Sequence, residues 1–141
     1  MDVGAEFAVE LGRVSRRWRV RLDERLKHTG LTQARWIVLL QLSQAGEMSQ
    51  RELADRVGVE GPTLVRVLDR LEDQGLVTRS ACGGDRRVKH INLTAAAKPV
   101  LGEITRISRE LREELLADVP GEELGKALQA LKAIGDRLEK M

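Results

Sequence analysis

The feature that most limits how this chain can fold is a change of period at Gly75. Upstream of it, apolar residues recur three and four apart, the spacing of one helix face. From Leu76 to Leu93 the period shortens toward two, as in strands, and beyond Thr94 the helical spacing returns. A short strand pair set among helices predicts a mainly α fold carrying one small β-hairpin.

The helices can be bounded from their punctuation. Phe7, Leu11, Val14, Trp18, Leu22 and Leu26 form a stripe over Phe7–Leu26, closed by Gly30. Thr32 is placed to cap a second helix running to about Ala45, apolar on nearly all sides and so expected at the centre of the core. Ser49-Gln50-Arg51-Glu52 reads as a capping box, with Glu52 reaching back to the start of a short helix that stops at Gly58. Pro62 fits the first turn of the next helix, which runs to Gln74 with Gly75 as its left-handed stop. Strands are expected over Leu76–Ala81 and Arg87–Leu93, with Cys82-Gly83-Gly84-Asp85-Arg86 as the connecting loop. Thr94 is expected to cap a helix through Val100, Ile104, Ile107, Leu111 and Leu115, in which Pro99 marks either a kink or the first turn. Pro120-Gly121 breaks the chain before a last helix carrying Leu124, Leu128, Leu131, Ile134 and Leu138. Four helices, a hairpin and two more helices is the order of a winged helix-turn-helix with long helices at both ends.

Composition narrows the function. With 42% apolar and 33% charged residues the chain can build a core and is not of the disordered class. No apolar run approaches the length of a membrane span, and MDVGAEFAVELGRV lacks the pattern of a signal peptide, so a cytoplasmic, nucleoid-associated protein is expected. A single cysteine, Cys82, excludes an internal disulfide and a multi-cysteine metal site, and no cofactor is expected. Gly83-Gly84 precedes a strand rather than opening a helix, so it is no phosphate loop. His28 and His90 lie far apart with no nucleophile near them in sequence and are expected on the surface; the chain does not read as an enzyme.

The net charge of +2 does not announce a nucleic-acid binder, but its distribution does. Arg13–Lys27 holds seven basic residues against two acids, and Arg79–His90 four against one. In the helix-turn-helix, Leu53, Val57, Val59, Leu64 and Val67 supply the apolar contacts and Ala54 permits close approach. With Leu64, Val67, Leu68 and Leu71 inward, the second helix presents Pro62, Thr63, Arg66, Asp69 and Arg70. Arg66 can place paired donors on guanine O6 and N7 in a major groove, and Thr63 can meet a thymine methyl or a phosphate. The helix starts at Ser49-Gln50 and at Pro62 favour phosphate. The tip Gly83-Gly84-Asp85-Arg86-Arg87 can enter a minor groove, with Asp85 holding Arg87 and leaving Arg86 to probe.

Three apolar stripes, at Phe7–Leu26, Ile104–Leu115 and Leu124–Leu138, exceed what a small winged-helix core can cover. A two-fold dimer sharing them is therefore expected, with Leu11, Leu22, Ile107, Leu111, Leu128, Leu131 and Leu138 in its interface.

The stretch GVEGPTLVRVLDRLEDQGLVTRSACGGDRRVKHINLT resembles the MarR family of winged-helix regulators, above all its SlyA branch. Its wing signature is met by Asp85, Arg87, Leu93 and Thr94. LTQARWIVLLQL and both terminal helices extend the likeness over nearly the whole chain. The resemblance implies a homodimer reading a palindromic double-stranded operator, as repressor or activator. It divides the chain into dimerisation helices at 1–30 and 95–141 and a DNA-binding lobe at 31–94. It puts Pro62, Thr63 and Arg66 in the major groove and Arg86, with Arg87, in the minor groove. It further implies a small aromatic acid such as salicylate as effector, on Trp18, Arg19, Thr32 and Trp36. Two alternatives stand beside this reading. One is a thiol-redox response through Cys82, and the other a winged helix used only for protein contacts.

Overall fold

In the computed structural model the structure describes residues 2–82 and 85–141, with side chains at 2–81 and 89–141. The helices are α1 (Val3–Arg25), α2 (Gln33–Ala45), α3 (Gln50–Val57), α4 (Gly61–Asp73), α5 (Lys98–Leu116) and α6 (Gly121–Glu139). The strands are β1 (Met48–Ser49), β2 (Val77–Cys82) and β3 (Asp85–Leu93). They form one antiparallel sheet in the order β1-β3-β2. The result is the mainly helical winged-helix fold expected of the sequence. The chain divides into two compact units, residues 1–108 and 109–141.

Caps set most boundaries. The Asp2 carboxylate accepts the Ala5 amide at 2.7 Å, so α1 begins four residues before the apolar stripe that announced it. Thr32 Oγ1 accepts the Arg35 amide at 3.4 Å to start α2. Ser49 Oγ accepts the Glu52 amide at 3.1 Å and donates to Glu52 Oε1 at 3.1 Å, so the Glu52 carboxylate meets the Ser49 hydroxyl rather than its backbone. At the C-terminal end of α4, Gly75 takes φ +76°; its amide reaches the Glu72 carbonyl and that of Leu76 reaches Leu71, satisfying two of the helix's last carbonyls.

Three expectations need correction here. The first hairpin strand is displaced by one residue, running Val77–Cys82, and the second is longer than expected, beginning at Asp85 rather than Arg87, with a register irregularity between Ala81 and Cys82. Met48–Ser49 forms a third strand paired with Ile91 and His90, too short to show any periodicity in sequence. Thr94 caps nothing by its side chain. Its hydroxyl donates to the Gly75 carbonyl at 2.6 Å and its amide to Leu76, tying the end of β3 to the end of α4. A 3-10 turn, Ala95–Ala97, follows, and Pro99 lies in the first turn of α5, where its missing N–H costs nothing.

The core of residues 1–108 gathers around α2. Trp36, Val38, Leu39 and Leu42 are buried, with Leu26, Leu53, Leu64, Leu68, Leu71, Ile91 and Ile104 fully so. Trp36 is anchored as well as buried, its indole N–H donating to Asp23 Oδ1 at 2.9 Å and fixing α2 to α1. Truncating one of these leucines to alanine is expected to cost about 2–5 kcal/mol.

Candidate nucleic-acid interface

The exposed face of α4 follows from what its other face buries. Leu64, Leu68 and Leu71 are wholly inaccessible, so the residues a turn away, Pro62, Arg66, Asp69 and Arg70, stand in solvent with Thr63 half-exposed among them. Val67, expected inward, is half-buried and lines a surface cavity. Arg66 Nη2 reaches Thr63 Oγ1 at 3.4 Å, one turn along the helix. Glu60, Gly61 and Pro62 open the helix with no side-chain cap, leaving its first N–H groups pointing outward.

A three-residue ionic clasp holds α4 against the sheet. Arg79 of β2 donates to Asp69 Oδ1 at 2.6 Å and to Glu72 at 3.1 and 3.3 Å. The Arg79 guanidinium holds the Glu72 carboxyl below the usual carboxylate range, and the Arg79 pKa is raised in turn, first by its hydrogen bond to Glu72. No spacing rule in the sequence joins Arg79 to α4, and this clasp was not foreseen. It binds α4 to β2.

Ser49 and Gln50 meet Arg51 and Lys89 around a cavity of about 690 Å³ that also touches the α3–α4 turn. Both are half-buried. Asp85, Arg86, Arg87 and Cys82, given roles at the tip, lie outside the residues whose side chains are described. His90 is half-buried rather than on the surface, its Nδ1 2.7 Å from Glu47, and exposed His28 lies 3.0 Å from Glu103. Both are ties between segments: the first joins β3 to the turn before β1, the second the turn after α1 to α5. Arg106 and then His28 hold the Glu103 carboxyl below its ordinary range.

The residues assigned to an aromatic-acid site stand in different surroundings. Trp36 is core, Trp18 is half-buried on α1, and Arg19 is exposed. Thr32 instead joins Arg35 and the α4 residues Thr63, Arg66 and Arg70 around a second cavity, of about 490 Å³. The basic run on α1 is partly self-paired, Arg13 with Glu10 and Arg21 with Glu24, as a solvated helix face would be. Of the apolar positions assigned to a dimer interface, Leu22, Ile107 and Leu111 are already buried in the single chain. Leu11, Leu128, Leu131 and Leu138 are exposed, as are Phe7, Val14, Leu124 and Ile134 beside them on α1 and α6. None of the described helices is long and apolar enough to cross a membrane.

Comparison with known proteins gives the arrangement a context. Residues 31–89 match the family model described as MarR. The transcriptional regulator PA3341 is similar over 96% of this chain and 99% of its own, with 47% identity and a TM-score of 0.90. A MarR family transcriptional regulator from Silicibacter pomeroyi is 27% identical over 99% of this chain and 93% of its own, with a TM-score of 0.89. A cysteine-to-serine mutant of MarR from E. coli, solved in complex with operator DNA, shares the fold at a TM-score of 0.77, with 24% identity over 95% of this chain and 99% of its own.

Proposed function

The chain belongs to the MarR family of transcriptional regulators, and from that premise we propose that it works as a homodimer reading a palindromic duplex, within the SlyA-like branch. The observation that carries the reading is the exposed row Pro62, Thr63, Arg66 and Arg70 on a helix whose opposite face is wholly buried. A helix so seated keeps its donors at fixed positions, which is what base-edge recognition demands. In this reading Arg66 meets guanine and Thr63 a thymine methyl or phosphate. The amides at the starts of α3 and α4 take backbone phosphates beside Ser49 and Gln50. Arg86 and Arg87 enter the minor groove, supported by Asp85. The operator DNA bound by the E. coli relative supports the choice of duplex DNA as partner.

Dimerisation is the part of the proposal that explains α1 and α6. Exposed Leu124, Leu128, Leu131, Ile134 and Leu138 follow one helical stripe, a pattern that solvent does not favour and a second copy would cover. Two-fold symmetry would then set paired α4 helices roughly 34 Å apart, one DNA turn. A small aromatic acid such as salicylate remains the effector to test, with Arg19 as its cation and Trp18 as its ring, since Trp36 is committed to the core. Such a ligand acts only by binding better to a dimer whose half-site spacing does not fit DNA.

Selection of bound sequences from random duplexes tests the function. A palindrome enriched by the wild-type chain supports it. Equal retention of random and selected duplexes would remove sequence reading from the account. Repeating the selection with salicylate present tests the effector: reduced retention supports it, and unchanged retention removes it.

A further inference from the structure

The cavity between the start of α2 and the outer face of α4 is lined mostly by hydrogen-bond donors. Three guanidiniums, Arg35, Arg66 and Arg70, and two hydroxyls, Thr32 and Thr63, surround it, with Val67 as its apolar element. Thr32 Oγ1 already accepts the Arg35 amide and Thr63 Oγ1 accepts from Arg66, so each hydroxyl has its proton left to donate outward. Asp69 is the lone acid there, and its Oδ1 is taken by Arg79 at 2.6 Å. Arg35 is drawn along α4 by a 3.3 Å bond from Nη1 to Gln74 Oε1, leaving its other N–H groups free of any described partner. The Arg70 guanidinium has no hydrogen-bond or ion-pair partner among the described residues. An open, cationic cavity walled by donors suits a group that offers several acceptor oxygens and a negative charge.

We propose that this cavity seats a backbone phosphodiester of the bound duplex, with Arg35 and Arg70 as phosphate ligands and the Thr32 hydroxyl as a third. This rests on the DNA-reading function and adds a residue, Arg35, that neither the hairpin nor the helix-turn-helix supplies. The seat lies on the flank of α4, so the phosphate it takes fixes how far that helix rolls in the groove and therefore where Arg66 points. A free oxyanion shares the chemistry. The continuity of the cavity with the exposed row of α4 favours the duplex as the source.

The test compares wild type, Arg35→Gln and Arg35→Lys on a selected duplex and a scrambled one across a salt series. Arg35→Gln should weaken both several-fold and to the same extent, and lower the slope of log affinity against log salt by about 0.9 per subunit, about 1.8 for the bound dimer. Arg35→Lys, which keeps the charge, should retain most of the slope. Neutral methylphosphonate placed at successive backbone positions should weaken wild type at one position per half-site and leave Arg35→Gln unaffected there. A slope unchanged in Arg35→Gln, or equal methylphosphonate sensitivity of both proteins at every position, would overturn the seat while leaving DNA reading intact. Calorimetric titration with inorganic phosphate at matched ionic strength separates the two sources. No saturable binding is expected. Saturable binding abolished by Arg35→Gln, with DNA binding untouched, would reassign the cavity to a free anion and overturn the proposal. Failure of wild type to bind any duplex would remove the function beneath it.

Discussion

Arg66 stands on the exposed face of α4 with a long bond to Thr63 as its one side-chain tie among the described residues, so its guanidinium is available to a ligand without breaking a strong interaction. Arg66→Ala is expected to cost about 1–3 kcal/mol at one base pair per half-site. Binding to single-base operator variants measures this: discrimination should vanish at one position, and uniform weakening would make Arg66 a phosphate contact. Glu72 yields a different kind of prediction. Its pKa lies below the ordinary carboxylate value because Arg79 stabilises the ionised form. The ionised clasp therefore stabilises the fold above the unfolded glutamate value of about 4.3, and that contribution disappears as pH falls through the lower folded value. Glu72→Gln should melt below wild type at neutral pH, with the gap closing on acidification. A gap that stays constant or widens toward acid would mean the clasp carries no such linkage.

Elements differ in how far their sequence betrays them. The capping hydroxyls of Thr32 and Ser49, Pro62 at the start of α4 and the left-handed Gly75 at its end act within four residues of where they stand, and each was readable from spacing. Gly75→Ala should lower the urea midpoint by the equivalent of about 1 kcal/mol. The cost is backbone strain at φ +76°, since an added Cβ would meet nothing within 4 Å. An unchanged midpoint would contradict that reading. What could not be read has the opposite character. β1 consists of two residues, too few for a period, and exists because β3 offers it an edge. The partners of Thr94, Arg79 and Arg35 lie 19, 7 to 10 and 39 residues away, and only the folded chain brings them together. The outward-facing row on α4 was thus visible beforehand, whereas the clasp behind it and the cavity beside it were not.

On the scale of the molecule, the exposed apolar stripes of α1 and α6 are more than one chain should leave to water. If a second copy covers them, a charge placed in the stripe should separate the copies. Leu131→Asp is expected to raise the dimer dissociation constant at least tenfold, because an unpaired carboxylate in an apolar interface is costly. It should weaken operator binding with it. Sedimentation of the variant unchanged from wild type would place Leu131 outside any interface. The most direct test of the whole account is sedimentation of the wild-type chain with a selected palindromic duplex and with a scrambled one at the same moderate salt. Two chains on the selected duplex, and far less on the scrambled one, is the predicted result. One chain per duplex, or equal loading of both, would contradict it.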